Sequence, residues 1–110
     1  DKHRIVLVGH SFGGAVVINA GAVVEEVVGV AALSPQSAGA LDPVTRLRAP
    51  ALFVHGEADE VLPPRCAQRL HEATRGPKQL ILYPECRHGL DECREALDKT
   101  ARLPLCGRRA

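Results

Sequence analysis

The chain has 110 residues, enough for a single domain with one core and no covalent staples. Its 14 basic and 13 acidic side chains leave a formal net charge of +1, which argues against a protein that binds nucleic acid or a membrane surface through bulk charge. With no Trp, no Met, one Tyr and two Phe among 45% hydrophobic residues, the core is expected to be aliphatic. No apolar run reaches the ~18 residues of a membrane helix.

Residues 4–9, RIVLVG, form the first predicted strand. No signal-peptide pattern precedes it, and a strand starting so soon after Asp1 reads as a piece of something longer. The turn GHSFGG follows, and residues 13–25 are an almost wholly apolar stretch ending in Glu25 and Glu26. Its valines are poor helix formers, so a helix here depends on tertiary burial. VGVAAL (28–33) is the second strand. LDPVTRLRAP (41–50) holds a short helical turn, with Asp42 capping and Pro43 in first position.

PALFVH (50–55) is the third strand, and PPRCAQRLHEATRGP (63–77) a helix opened by prolines and stopped by Gly76 and Pro77. KQLILYP (78–84) is the fourth strand, and DECREALDKTARL (91–103) a closing amphipathic helix. The strands are continuously aliphatic rather than alternating, as parallel strands buried on both faces are. The expected fold is therefore α/β: a four-stranded parallel sheet with flanking helices. Right-handed crossovers put every strand's carboxyl end on one edge, where open α/β sheets hold their chemistry.

Ser11 follows the first strand, Asp59 the third and His88 the fourth. At about 4.8 Å per strand the outer two strands are roughly 14 Å apart. Residues 84–87, at about 3.3 Å each when extended, can carry an imidazole back toward the serine. A strand-to-helix turn this sharp pushes the Ser11 hydroxyl outward, and Gly9 and Gly13 are expected where a Cβ would collide with its neighbours. The turn leaves the Phe12 N–H facing a developing oxyanion. His88 would take the Ser11 proton while Asp59 fixes the imidazole's tautomer.

Glu57, Glu60 and Asp91 compete with Asp59, and His3, His10, His55 and His71 with His88. Chain position favours Asp59 and His88. His10 adjoins the serine, would point away from the base, and is grouped with Phe12 on the oxyanion and substrate-binding side. The turn is no phosphate loop, since it lacks GK[ST], and no dinucleotide fingerprint, since it is misspaced. Cys66, Cys86, Cys93 and Cys106 form no CxxC pair, so reduced cytosolic thiols are expected. A Cys86–Cys93 bridge, or a metal site of Cys86, His88 and Cys93, is the alternative.

GHSFGG, HGEADEVLPP and RHG resemble the three motif regions of the α/β-hydrolase superfamily, closest to small members of the dienelactone hydrolase or carboxylesterase kind. The resemblance implies a serine hydrolase with Ser11 as nucleophile, Asp59 as triad acid, His88 as base and Phe12 as one oxyanion donor. It implies a small-molecule ester or acyl substrate and no metal or cofactor; the cysteine usage gives the expectation of a cytoplasmic setting. The interval at 34–49 leaves no room for the lid inserted there in some relatives. The four strands resemble the second half of the full fold. The first half, with the loop supplying the other oxyanion N–H, is expected to be missing. The alternative function is a catalytically incomplete module that assembles through the apolar edge of its first strand, with itself or with the missing half.

Overall fold

A computed structural model describes residues 4–93. Strands β1 (Ile5–His10), β2 (Val27–Leu33), β3 (Ala51–Gly56) and β4 (Lys78–Tyr83) form one parallel sheet in the order β1-β2-β3-β4. The register pairs Leu7 with Val30, Val30 with Ala51, and Ala51 with Lys78. Helices α1 (Phe12–Val23) and α2 (Arg65–Ala73) are the β1–β2 and β3–β4 crossovers, and a 3-10 turn at Pro43–Arg46 lies between β2 and β3. The strands run in sequential order, so right-handed crossovers all fall on the same face. Ala15 and Ile18 of α1 and Ala67 and Leu70 of α2 accordingly share one core with Val30, Phe53, Val44 and Leu47.

Burial explains the two inner strands, whereas β1, expected to be buried on both faces, is exposed or half-buried along its length because only β2 pairs with it among the described residues. Every residue of β3 is buried, and β2 nearly so, because both have strand neighbours and both faces covered. One correction to the composition reading is Phe53, fully buried at the centre of an otherwise aliphatic core. α1 is apolar all round, yet only Gly14, Ala15 and Ile18 are buried. It is helical although Val16 and Val23 face outward. α2 is shorter than the 63–77 expected, since Pro63 and Pro64 precede it and Thr74 is already extended. Asp42 does sit before the 3-10 turn, but it makes no side-chain cap; its carboxylate turns to Arg46 Nη1 at 2.9 Å.

The other face of the sheet is covered by returning chain. Ala31, Leu52 and Val54 pack against Cys86 and Leu90, with Leu33, Ile81, Tyr83 and Cys93 around them. Apolar burial thus draws residues 84–93 back across the strand ends. Only the start of the helix expected at 91–103 is described, as a 3-10 turn at Asp91–Cys93; the remainder lies outside the described residues.

β1 pairs with β2 along one edge, and no other described strand pairs with it. Its Ile5, Val6 and Val8 are exposed, as are Phe12 and Val16 of α1. Among the described residues no helix is long and apolar enough to cross a membrane.

Candidate active site

Ser11 is the hinge between β1 and α1, at φ 61° and ψ −120°, a backbone region costly to any L side chain. The turn is pinned on both sides: Ser11 N–H donates to Leu33 C=O at 2.9 Å, and Ser11 C=O accepts from Gly14 N–H at 2.9 Å. A Cβ on Gly9 would run into the Gly13 carbonyl, so the strand can approach the helix start only as glycine. The glycine expectation needs one correction. A Cβ on Gly13 meets nothing within 4 Å, whereas one on Gly14 would stand 2.8 Å from Pro35 Cβ. Gly9 and Gly14 are therefore the close-packed pair. Gly9→Ala is expected to lower stability by about 1–3 kcal/mol through a backbone clash. Gly13→Ala should be neutral or raise it by up to about 1 kcal/mol, because alanine suits a helix better. Urea denaturation of the two variants checks both.

Three side chains expected at this edge meet. His88 Nδ1–H donates to Asp59 Oδ2 at 2.8 Å, which leaves Nε2 bare to accept the Ser11 hydroxyl at 3.0 Å. The Asp59 carboxylate is fully shielded from solvent, and the His88 side chain is 16% exposed. Asp59 Oδ1 accepts two backbone N–H groups, from Val61 at 2.8 Å and Leu62 at 2.7 Å. Burial alone would raise the Asp59 pKa. The N–H donors of Leu62, His88 and Val61 together outweigh it and hold the carboxyl below its usual value. Asp59 therefore stays ionised well into acid.

The loop carrying His88 is held at its main chain. His10 Nε2–H, at 2.7 Å, and Ser34 Oγ–H, at 2.8 Å, both donate to the His88 carbonyl. His10, expected on the oxyanion side, lies against His88, with the two ring centroids 4.8 Å apart. Ser34, fully buried at the end of β2 with φ 46°, and Glu60, whose Oε1 accepts from His88 N–H at 3.4 Å, are the contacts sequence reading passed over. Ser34 ends a strand on the same edge as Ser11, and that position was the available signal. Phe12 opens α1, so its N–H belongs to the first turn, where helix donors lack carbonyl partners.

The cysteine expectation is overturned in part. Cys86 and Cys93 are joined as a disulfide that encloses His88, and Cys66 is free; Cys106 lies outside the described residues. The alternative metal trio is not formed, since the sulfurs are bonded to each other and the imidazole is turned to Asp59 and Ser11. A cavity of about 660 Å³ lies at the opposite edge of the sheet, lined by residues such as Gly21, Val24, Leu47 and Arg75, and touches none of this chemistry. Convergent side chains, rather than that hollow, locate the site.

Sheet order, crossovers and the serine turn define an α/β-hydrolase fold, here four strands of it. The dienelactone hydrolase family profile matches residues 1–102, and the chain belongs to that family. No curated protein matches the sequence. Among solved structures, the esterase domain of a Rhodothermus marinus protein superposes with a TM-score of 0.81 at 23% identity, over 94% of this chain and 59% of that one. Dienelactone hydrolase from Anabaena variabilis gives 0.77 at 25% identity, over 91% and 46%. Mouse alpha/beta hydrolase domain-containing protein 10 gives 0.81 at 14% identity, over 100% and 64%. The chain thus spans about half the length of its structural relatives.

Proposed function

We propose that this chain carries the nucleophile, base and acid of a serine hydrolase acting on small esters or related acyl compounds. The observation that carries the reading is the continuous path Asp59–His88–Ser11, with contacts of 2.8 and 3.0 Å, ending on a serine held at positive φ. Ser11 Oγ attacks the acyl carbon as its proton passes to His88 Nε2. Asp59 keeps Nδ1–H in place and stabilises the imidazolium. The tetrahedral oxyanion faces the Phe12 N–H. Collapse breaks the ester bond, and His88 returns the proton to the departing alcohol. Water, deprotonated by His88, then cleaves the acyl-enzyme and releases the acid.

Covalent labelling reads the nucleophile directly and needs no matched substrate, so it is a more sensitive test than turnover. A fluorophosphonate is expected to label Ser11, read by mass spectrometry of its peptide. Labelling elsewhere, or none, would overturn the reading. A second reading, a non-catalytic module that assembles through β1, is favoured by the exposed Ile5, Val6 and Val8. Absence of labelling together with self-association by size-exclusion chromatography would select it.

A further inference from the structure

His55 is the penultimate residue of β3, and its side chain is completely buried. It shares the helix-covered face of the sheet with Phe53, and apolar neighbours there need no imidazole. The ring nonetheless carries a polar cost. Nδ1 is a buried nitrogen with no hydrogen-bond partner, a desolvation cost that nothing around it offsets. Leucine would fill similar space without it.

What leucine could not supply lies at the other nitrogen. Nε2 is 3.0 Å from the Leu62 carbonyl and 3.1 Å from Asp59 Oδ2. Both are acceptors, so Nε2 carries the hydrogen; it donates to the Leu62 carbonyl and stands against Oδ2 as a close polar neighbour. The two partners stand at the ends of the 59–62 turn. Rotation about Cβ–Cγ, a soft torsion for Asp, carries both oxygens together, so the carboxylate's orientation depends on where the turn holds the Val61 and Leu62 N–H groups that meet Oδ1. That rotation would swing Oδ2 off the line of His88 Nδ1. His55 reaches Oδ2 from the protein interior while His88 reaches it from the loop.

We infer that His55 is a positioning residue: its buried Nε2–H ties down the Leu62 end of the 59–62 turn and stands against Oδ2, and so keeps the Asp59 carboxylate aimed at His88. The inference rests on the triad reading above but concerns a residue outside the triad. It accounts for the orphaned Nδ1 as the unavoidable far side of a ring needed for its Nε2–H.

The test compares His55→Gln with His55→Asn. The glutamine amide reaches where Nε2 sits; the shorter asparagine amide reaches only where Nδ1 sits. The readouts are the fluorophosphonate labelling rate, thermal stability, and the proton NMR signal of His88 Nδ1–H, shifted far downfield by its carboxylate partner. His55→Gln should keep that signal and label at close to the original rate. His55→Asn should lose the signal to exchange with water and label about tenfold more slowly or worse, as misplaced catalytic groups do. Variants that behave alike, whether both keep the signal, both lose it or both fail to fold, would overturn the inference. The signal reads the Asp59–His88 bond directly, so a protein that labels nowhere while the glutamine and asparagine variants still differ in signal would refute the hydrolase reading and leave the positioning role standing.

Discussion

Ser11→Ala is expected to abolish fluorophosphonate labelling and to cut any ester turnover by a factor on the order of 10⁶, the scale seen when a serine nucleophile is removed. Ser11→Gly should be equally inert, yet the two should part company in stability. At φ 61° and ψ −120° an L side chain costs about 1–3 kcal/mol, and alanine keeps that cost while glycine escapes it. Glycine gives back about 0.5–1 kcal/mol through the greater freedom of its unfolded chain. Both variants lack the hydroxyl, so the lost contact to His88 cancels between them. Glycine should therefore be the more stable by about 1 kcal/mol, a rise of about 4–8 °C in Tm for a domain this small. An alanine variant as stable as the glycine one would show that the turn stores no such strain, and that the hydroxyl is displayed at no cost to the fold.

The same turn shows what the sequence could carry. A run of aliphatic residues ending in GHSFGG specifies a strand and a sharp corner, although the burial expected of that strand is not met in β1. Parallel strands with right-handed crossovers specify that Ser11, Asp59 and His88 project from one edge. Which glycine the corner needs was not legible, because Gly14 is constrained by Pro35, a residue 21 positions away that no local pattern links to it. The 84–93 segment was legible only in reach. Its path depends on Cys86 and Leu90 packing against Leu52 and Val54, and on a Gly56 so close to the Cys86 carbonyl that a Cβ would strike it. That packing brings Cys86 and Cys93 together without any cysteine motif. His55 reads in sequence as the polar end of a strand. The signal that could have singled it out is its place four residues before Asp59 at a strand's carboxyl end.

Position in the fold and position in the site are thus set by different forces. Sheet pairing and apolar burial deliver three strand ends to one edge. The final ångströms come from polar contacts: His10 and Ser34 on the His88 carbonyl, Val61, Leu62 and His55 on the Asp59 carboxylate. Nearly every contact that aims the imidazole passes through Asp59 or through the loop's own main chain, which makes Asp59 the point where the site is most exposed to a single change.

Asp59→Asn preserves shape and removes the charge, and its expected effect is large. Asp59 accepts three hydrogen bonds and donates none: two N–H groups meet Oδ1, and His88 Nδ1–H meets Oδ2, with His55 Nε2 3.1 Å from that same oxygen. An amide has one oxygen and one NH₂. With its oxygen toward Val61 and Leu62, the NH₂ confronts His88 Nδ1–H. His88 then takes the other tautomer, so that Nε2 bears the hydrogen and can no longer receive the Ser11 proton. The labelling rate should fall by about 10⁴, as loss of the orienting acid does elsewhere. Stability should fall as well, by about 1.5–3 kcal/mol for hydrogen bonds to a charged group. The sign of its pH dependence follows from the lowered Asp59 pKa. A carboxyl more acidic folded than unfolded contributes fully above its unfolded value of ~3.9, and that contribution disappears as pH falls through the folded value. The stability gap between the original chain and Asp59→Asn should therefore be widest near neutrality and narrow as pH falls below the unfolded carboxylate value of ~3.9. Urea midpoints at pH 7 and pH 3 measure it. A constant gap, or labelling within tenfold of the original rate, would mean that the carboxylate neither carries the folding linkage nor orients the base.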